Sequence, residues 1–224
     1  PLLKNKMKDS SISMKEIEAI AFTNGPGLRG PLMVGAGFAN SLSYALDIPV
    51  IPIHHMEAHL IMAKYDADDL SYPFISLLVS GGHTLIVKVS SPNAYKGIGQ
   101  TRDDAVGEAF DKTARLLGLE QPGGPSIERE AINGDFKRFD FPRPLLNRDD
   151  CDMSFSGLKT AVSRSLEDLD KQQGGLYERD VKDFCASFQA AISDVLVGKS
   201  KRAIIEARKR SSALKTFAIV GGVA

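Results

Sequence analysis

Two short apolar runs, residues 17–22 (IEAIAF) and 48–53 (IPVIPI), enclose a longer segment, residues 31–46 (PLMVGAGFANSLSYAL), that reads as a helix. Runs of this length suit buried strands, and joining two parallel strands takes a crossover of a dozen or more residues. A strand, helix, strand unit of this kind restricts the chain to α/β architectures. Pro31 suits a first helical turn, where its missing N–H costs nothing. Gly35 and Gly37 each cost about 1 kcal/mol relative to alanine inside a helix, which implies tight packing of the helix on the sheet.

The remaining pattern agrees with that class. Residues 74–90 (FISLLVSGGHTLIVKVS) form two apolar runs joined by Gly81-Gly82, a hairpin signature. Residues 103–119 place Val106, Phe110, Ala114 and Leu117 at helical spacing. Shorter or longer helices are expected over 56–65, 154–169 and 178–210, with a last strand at 216–220 and a turn at 121–125 (QPGGP). The expected class is α/β with antiparallel strands mixed in. A composition of 43% hydrophobic and 25% charged residues is globular. No apolar stretch approaches the roughly 20 residues of a membrane-spanning helix, and two cysteines make no disulfide framework. A soluble protein of the reducing cytoplasm is expected. Lys plus Arg and Asp plus Glu both total 28, so no global basic field attracts nucleic acid; such a role needs a local patch or a partner. The chain opens on Pro1 and stops at Gly221-Gly222-Val223-Ala224, just after an apolar run, and is expected to be the middle of a longer protein.

Three of the four histidines fall in IPIHHMEAHL, residues 51–60. On a helix His55 and His59 project from one face, at a spacing that lets two imidazoles share a metal ion, although ordinary histidines near a helix start have the same spacing. Glu57 lies about 200° around the helix from His55, so it is poorly placed as the general base of a zincin protease, whose glutamate directly follows the first ligand. SGGHT (80–84) reads as a plain hairpin turn or as a nest of backbone N–H groups for an anion. NGPGLRGP (24–31) and IVGGVA (219–224) repeat the pattern of a strand running into glycines, and three such loops suggest a nucleotide-sized ligand. Asp104, Glu108, Asp111 and Arg115 share a helix face: either Asp111 and Arg115 form an ordinary ion pair, or Asp111 accepts from ribose hydroxyls. The basic run 199–210 (KSKRAIIEARKR) is a solvated helix face or part of an RNA-facing patch.

Taken in order, 55–59 (HMEAH), 78–84 (LVSGGHT), 103–112 (DDAVGEAFDK), 122–125 (PGGP) and 154–159 (SFSGLK) closely resemble the tRNA adenosine threonylcarbamoyltransferase family, formerly called glycoproteases. GEAFDK and SFSGLK are similar to its bacterial and organellar branch. The resemblance implies an actin-like ATPase fold (the sugar kinase and heat-shock ATPase fold) of two lobes around a ligand cleft, truncated at both ends. Residues 1–77 would belong to the first lobe, with the metal helix, and 78–224 to an incomplete second lobe. It further implies that His55 and His59 bind one divalent ion, iron or zinc. Leu78, Val79, Ser80, Gly81, Gly82, Asp111 and Gly124 would bind threonylcarbamoyl-adenylate. The implied reaction moves the threonylcarbamoyl group to N6 of the adenosine 3′ to the anticodon in tRNAs reading codons that begin with A. The implied partners are tRNA, a paralogous actin-like subunit and a small ATPase, with no membrane. Two other readings are a metal-dependent glycoprotease and a catalytically silent nucleotide-binding scaffold. Gln121 and Arg102 depart from the family pattern, which commonly has an aromatic and an apolar residue there. The family's opening strand, a further asparagine and an aspartate that completes the metal shell fall outside 1–224, so these residues alone are expected to be inactive.

Overall fold

A computed structural model describes residues 13–65, 67, 70–210 and 214–223; Ala224, the last residue of the third glycine loop, lies outside them. The chain divides into two compact units, Pro1–Ile61 and Met62–Ala224. The expected lobe boundary between residues 77 and 78 falls within a strand of the second unit.

In the first unit β1 (Ile20–Gly25) and β2 (Val50–His54) pair in parallel, Ile20 with Val50 through Thr23 with Ile53, joined by α1 (Arg29–Leu46). The crossover unit is as expected. Its glycines act differently from the expectation, because a Cβ at Gly35 or Gly37 would meet open space. Both lie on the exposed side of α1, whereas Leu32, Ala36, Ala39, Leu42, Ser43 and Leu46, spaced by helical turns, are the partly or fully buried positions. α2 (His55–Tyr65) starts directly where β2 ends.

The second unit is built on a four-stranded sheet in the order β5-β4-β3-β6. β3 (Phe74–Val79) pairs antiparallel with β4 (Thr84–Ser91), which pairs antiparallel with β5 (Ala94–Gln100); β6 (Thr216–Val220) lies parallel to β3. All six residues of β3 are buried, as a strand covered on both faces requires. β5 is an exposed edge with glycines at 97 and 99 and little apolar alternation, so it carries almost no strand signal. Gly99 is demanded by packing, since a Cβ there would collide with the Cys151 carbonyl. The helices are α3 (Val106–Leu116), α4 (Gly123–Ala131), α5 (Ser156–Gln173) and α6 (Glu178–Arg210). The stripe Val106, Phe110, Ala114 and Leu117 is buried as its spacing requires. α6 adds Phe184, Phe188 and Val195 to the same core, and Phe188 meets Phe110 edge to face at 5.3 Å.

α3 begins three residues later than the apolar pattern suggests, because Asp103 is used elsewhere. Its carboxylate accepts from Ser154 Oγ at 2.5 Å, Ser156 Oγ at 2.8 Å, and the N–H groups of Phe155 at 2.8 Å and Ser156 at 3.2 Å. It thereby caps α5, whose own N-cap residue, Phe155, makes no side-chain cap. Burial pushes the Asp103 carboxyl up, but these donors outweigh it and hold the group below its ordinary range. A depressed folded value means stability that is present above the unfolded value of about 3.9 and is lost as pH falls through the native one. Asp103→Ala should therefore cost about 2–4 kcal/mol at pH 7 by urea denaturation. The gap from wild type should shrink as both proteins are acidified below about pH 4.

Candidate functional site

The hairpin turn between β3 and β4 is closed by Ser80, whose N–H donates to the His83 carbonyl at 2.8 Å while its Oγ accepts from the His83 N–H at 3.0 Å. The N-terminus of α3 docks onto this turn. Val106 N–H donates to Thr84 Oγ1 at 2.9 Å and Gly107 N–H to the Ser80 carbonyl at 3.3 Å, supplying two partners that the uncapped helix start lacks. Gly107 allows the approach: a Cβ there would lie 2.7 Å from Gly81 Cα and 2.9 Å from the Ser80 carbonyl oxygen. Gly81 and Gly82 face open space, and among the described residues nothing accepts from their N–H groups. A second glycine turn joins them from β6. Gly221 has φ 112° and presses on the Val79 carbonyl, which also accepts from the Val223 N–H at 3.2 Å.

Asp111 does not pair with Arg115. Its Oδ1 accepts from the Gly123 N–H at 2.7 Å, and its own carbonyl accepts from Gln121 Nε2 at 3.2 Å. The segment 121–125 is thus more than a turn, because α4 starts at Gly123, with Pro125 inside the first turn where no N–H is needed. Gly123 sits 2.6 Å, measured from a notional Cβ, from the Phe110 carbonyl, so α3 and α4 lie backbone to backbone there. On the outer face Lys112 bridges Asp104 at 2.8 Å and Glu108 at 2.7 Å; the hydrogen bond to Asp104, then that to Glu108, raises the lysine above its ordinary range. Asp111 is left as the inward carboxylate. The two departures from the family pattern also find partners: Gln121 on the Asp111 carbonyl, and Arg102 on Asp152, with Nε at 2.7 Å.

These contacts surround a cavity of about 560 Å³ in the second unit. Of the candidate residues it brings together Gly81, Asp111 and Gly124. Leu78 and Val79 are core residues of β3, 0% and 2% exposed, and frame the turn from below. The Ser80 hydroxyl is engaged within the turn, and Gly82 adjoins Gly81 without lining the cavity. Sequence reasoning misses Glu128 on α4 and the face of α6 carrying Gln189, Ile192, Ser193 and Leu196, which forms another wall. The i, i+3, i+4, i+7 spacing of that face is the one available signal, and it is common to any packed helix.

In the first unit His55 and His59 project together from α2, with ring centroids 4.6 Å apart at 64°. Two neutral imidazoles so placed can serve as two ligands of one divalent ion. Among the described residues no group of three or more His, Cys, Asp and Glu side chains forms a ligand set. Part of the basic run on α6 is engaged within the fold. Lys199 is fully buried and donates to the carbonyls of Arg148 at 3.1 Å and Asp150 at 2.8 Å; Arg202 pairs with Asp149 at 2.9 Å and Lys209 with Glu206 at 2.6 Å. It is a structural and solvated face more than a basic patch.

The family model of tRNA N6-adenosine threonylcarbamoyltransferase matches residues 1–224. Curated proteins of that name from Dinoroseobacter shibae, Ruegeria pomeroyi and Chromobacterium violaceum are 49%, 46% and 47% identical over 97%, 99% and 100% of this chain. The chain spans 60%, 60% and 64% of their respective lengths. Among solved structures, YeaZ from Pseudomonas aeruginosa is similar with a TM-score of 0.34 and 15% identity, covering 43% of this chain and 46% of that one. Component A of (R)-2-hydroxyglutaryl-CoA dehydratase from Acidaminococcus fermentans is similar with a TM-score of 0.48 and 11% identity, covering 99% and 67%. Structural likenesses this loose say nothing about activity.

The close approach at Gly107 and the open space at Gly81 have opposite consequences for alanine. Gly107→Ala should lose about 1–3 kcal/mol, because its neighbours are backbone atoms that cannot yield cheaply. Gly81→Ala should stay within about 0.5 kcal/mol of wild type. Thermal melts of the two variants test the pair, and equal melting temperatures would remove the docking of α3 on the turn as a constraint.

Proposed function

Because the chain belongs to the tRNA N6-adenosine threonylcarbamoyltransferase family, we propose that it carries the adenylate-binding part of an enzyme that threonylcarbamoylates tRNA. In this reading the N6 amine of the adenosine 3′ to the anticodon, in tRNAs reading codons that begin with A, attacks the carbamoyl carbon of threonylcarbamoyl-adenylate. A C–N bond forms, the C–O bond to phosphate breaks, the amine loses a proton and AMP leaves. The observation that carries the reading is the cavity that joins Gly81, Asp111 and Gly124, which come from three separate motifs.

The mixed anhydride is already activated, so the protein's work is to position two substrates and to stabilise negative charge on the leaving phosphate. The N–H groups of Gly81 and Gly82 suit that phosphate. Asp111, with Oδ1 held by Gly123 N–H, keeps Oδ2 for a ribose hydroxyl. Leu78, Val79 and Ser80 serve by fixing the turn beneath the ligand. His55 and His59 would hold one divalent ion, iron or zinc, which when bound supplies Lewis acidity toward substrate oxygens.

The same reading assigns the chain to an actin-like fold, with residues 1–77 in one lobe and 78–224 in the other, and to the cytoplasm. None of the described helices is long and apolar enough to cross a membrane. A paralogous actin-like subunit and a small ATPase would share the work on tRNA. The balance of 28 basic and 28 acidic residues, and the ion pairs that engage Arg202 and Lys209 on α6, support binding of tRNA by a shared surface. The test is complementation of a strain lacking threonylcarbamoyladenosine with the full-length gene, followed by mass spectrometry of tRNA nucleosides. Wild type should restore the nucleoside, and Asp111→Ala and His55→Ala should each lower it at least about 10-fold. Unmodified tRNA with the wild-type gene would leave a silent scaffold in its place, and full modification by His55→Ala would remove the histidine pair from the reaction.

A further inference from the structure

The cavity wall formed by α6 has a chemistry that the glycine turns do not. Among the lining residues the charged side chains are two carboxylates, Asp111 and Glu128, and none is basic. A phosphate is repelled by both and is drawn to the Gly81 turn with its free N–H groups. Ribose hydroxyls can donate to the carboxylates. The purine is then left for the wall of α6, where Ile192 and Leu196 offer apolar surface to a flat ring and Gln189 and Ser193 offer neutral polar groups to its edge.

Gln189 stands out on this wall. Its Oε1 is shut off from solvent and has no hydrogen-bond partner. Buried polar atoms are nearly always paired, and leaving one unpaired is unfavourable. No hydrogen bond to another described residue holds either end of the carboxamide, so turning it toward the cavity the residue lines breaks none. A glutamine amide offers one acceptor and two donors, and adenine, with its exocyclic amine beside a ring nitrogen acceptor, is the base that such an amide pairs with in two-point fashion.

Resting on the adenylate reading above, we infer that Gln189 reads the adenine of the bound adenylate, its Oε1 accepting from the exocyclic 6-amine. The residue is a specificity determinant in this cavity. It makes the cavity select an aminopurine, while the glycine turn and Asp111 hold parts common to all nucleotides.

The experiment is a titration of AMP and of purine riboside 5′-monophosphate, which lacks the 6-amine, into the full-length protein and its Gln189→Leu variant. Wild type should prefer AMP by about 10-fold, the effect of one net hydrogen bond, and the variant should bind the two equally, weakening AMP more than its 6-amine-free analogue. Leucine removes an unpaired oxygen at similar volume, so the melting temperature should hold; should it fall, Gln189→Met provides the same comparison with a flexible side chain. Equal weakening of both ligands, or an unchanged preference for AMP, would overturn the inference while leaving the adenylate site standing. A wild-type protein that binds neither nucleotide would overturn the adenylate reading itself, and this inference with it.

Discussion

One buried hydrogen bond, from the Val106 N–H to the Thr84 hydroxyl oxygen, ties the helix that carries Asp111 to the glycine turn. Its direct contribution is modest, on the order of 1 kcal/mol, but it fixes the start of α3 against the β3–β4 turn, and the missing side chain at Gly107 lets the two backbones meet. From that point Asp111, little more than one helical turn further on, is aimed at Gly123, and the position of α4 follows. These contacts frame one side of the cavity. The shape of that side is therefore set by glycines that allow contact and by polar atoms that fix register, with the aromatic packing of Phe110 on Phe188 holding α6 against the far side.

Much of this architecture is visible in the sequence, and the reasons are specific. β1, α1 and β2 follow from two apolar runs around one helical segment, and β3 and β4 from apolar runs about a glycine pair. Long α6 follows from an uninterrupted pattern without proline. β5 escapes because an exposed edge strand needs neither alternation nor bulk, and α4 because its first residues, Gly-Gly-Pro, are turn formers that happen to open a helix held by a distant carboxylate. Gly35 and Gly37 mislead for a related reason: a glycine shows that a side chain is absent, and the fold alone shows whether anything approaches.

The candidate site is legible to the extent that its residues are unusual for their surroundings. Gly81, Asp111 and Gly124 sit in short motifs of glycines and acids, and they do meet. Asp103, in one of those same motifs, is used differently: it ties the start of α5 to the segment before α3, and a carboxylate fixed by four donors has nothing left for a ligand. Gln189 lies on a helix that mixes apolar and polar residues along its length, where a single amide reads as an ordinary exposed position until the cavity is seen.

The parallel pairing of β3 with β6 joins segments far apart in the sequence, and the Gly221 turn presses directly on Val79. During synthesis the hairpin of β3 and β4 can form early from local pairing, but one wall of the cavity has no neighbour until residues 216–223 have left the ribosome. A nascent chain arrested before that point would hold its glycine turn open to solvent beside an unpaired strand edge, a surface of the kind that chaperones shield. That wall of the cavity is thus closed only when β6 pairs with β3, across about 140 residues of intervening chain.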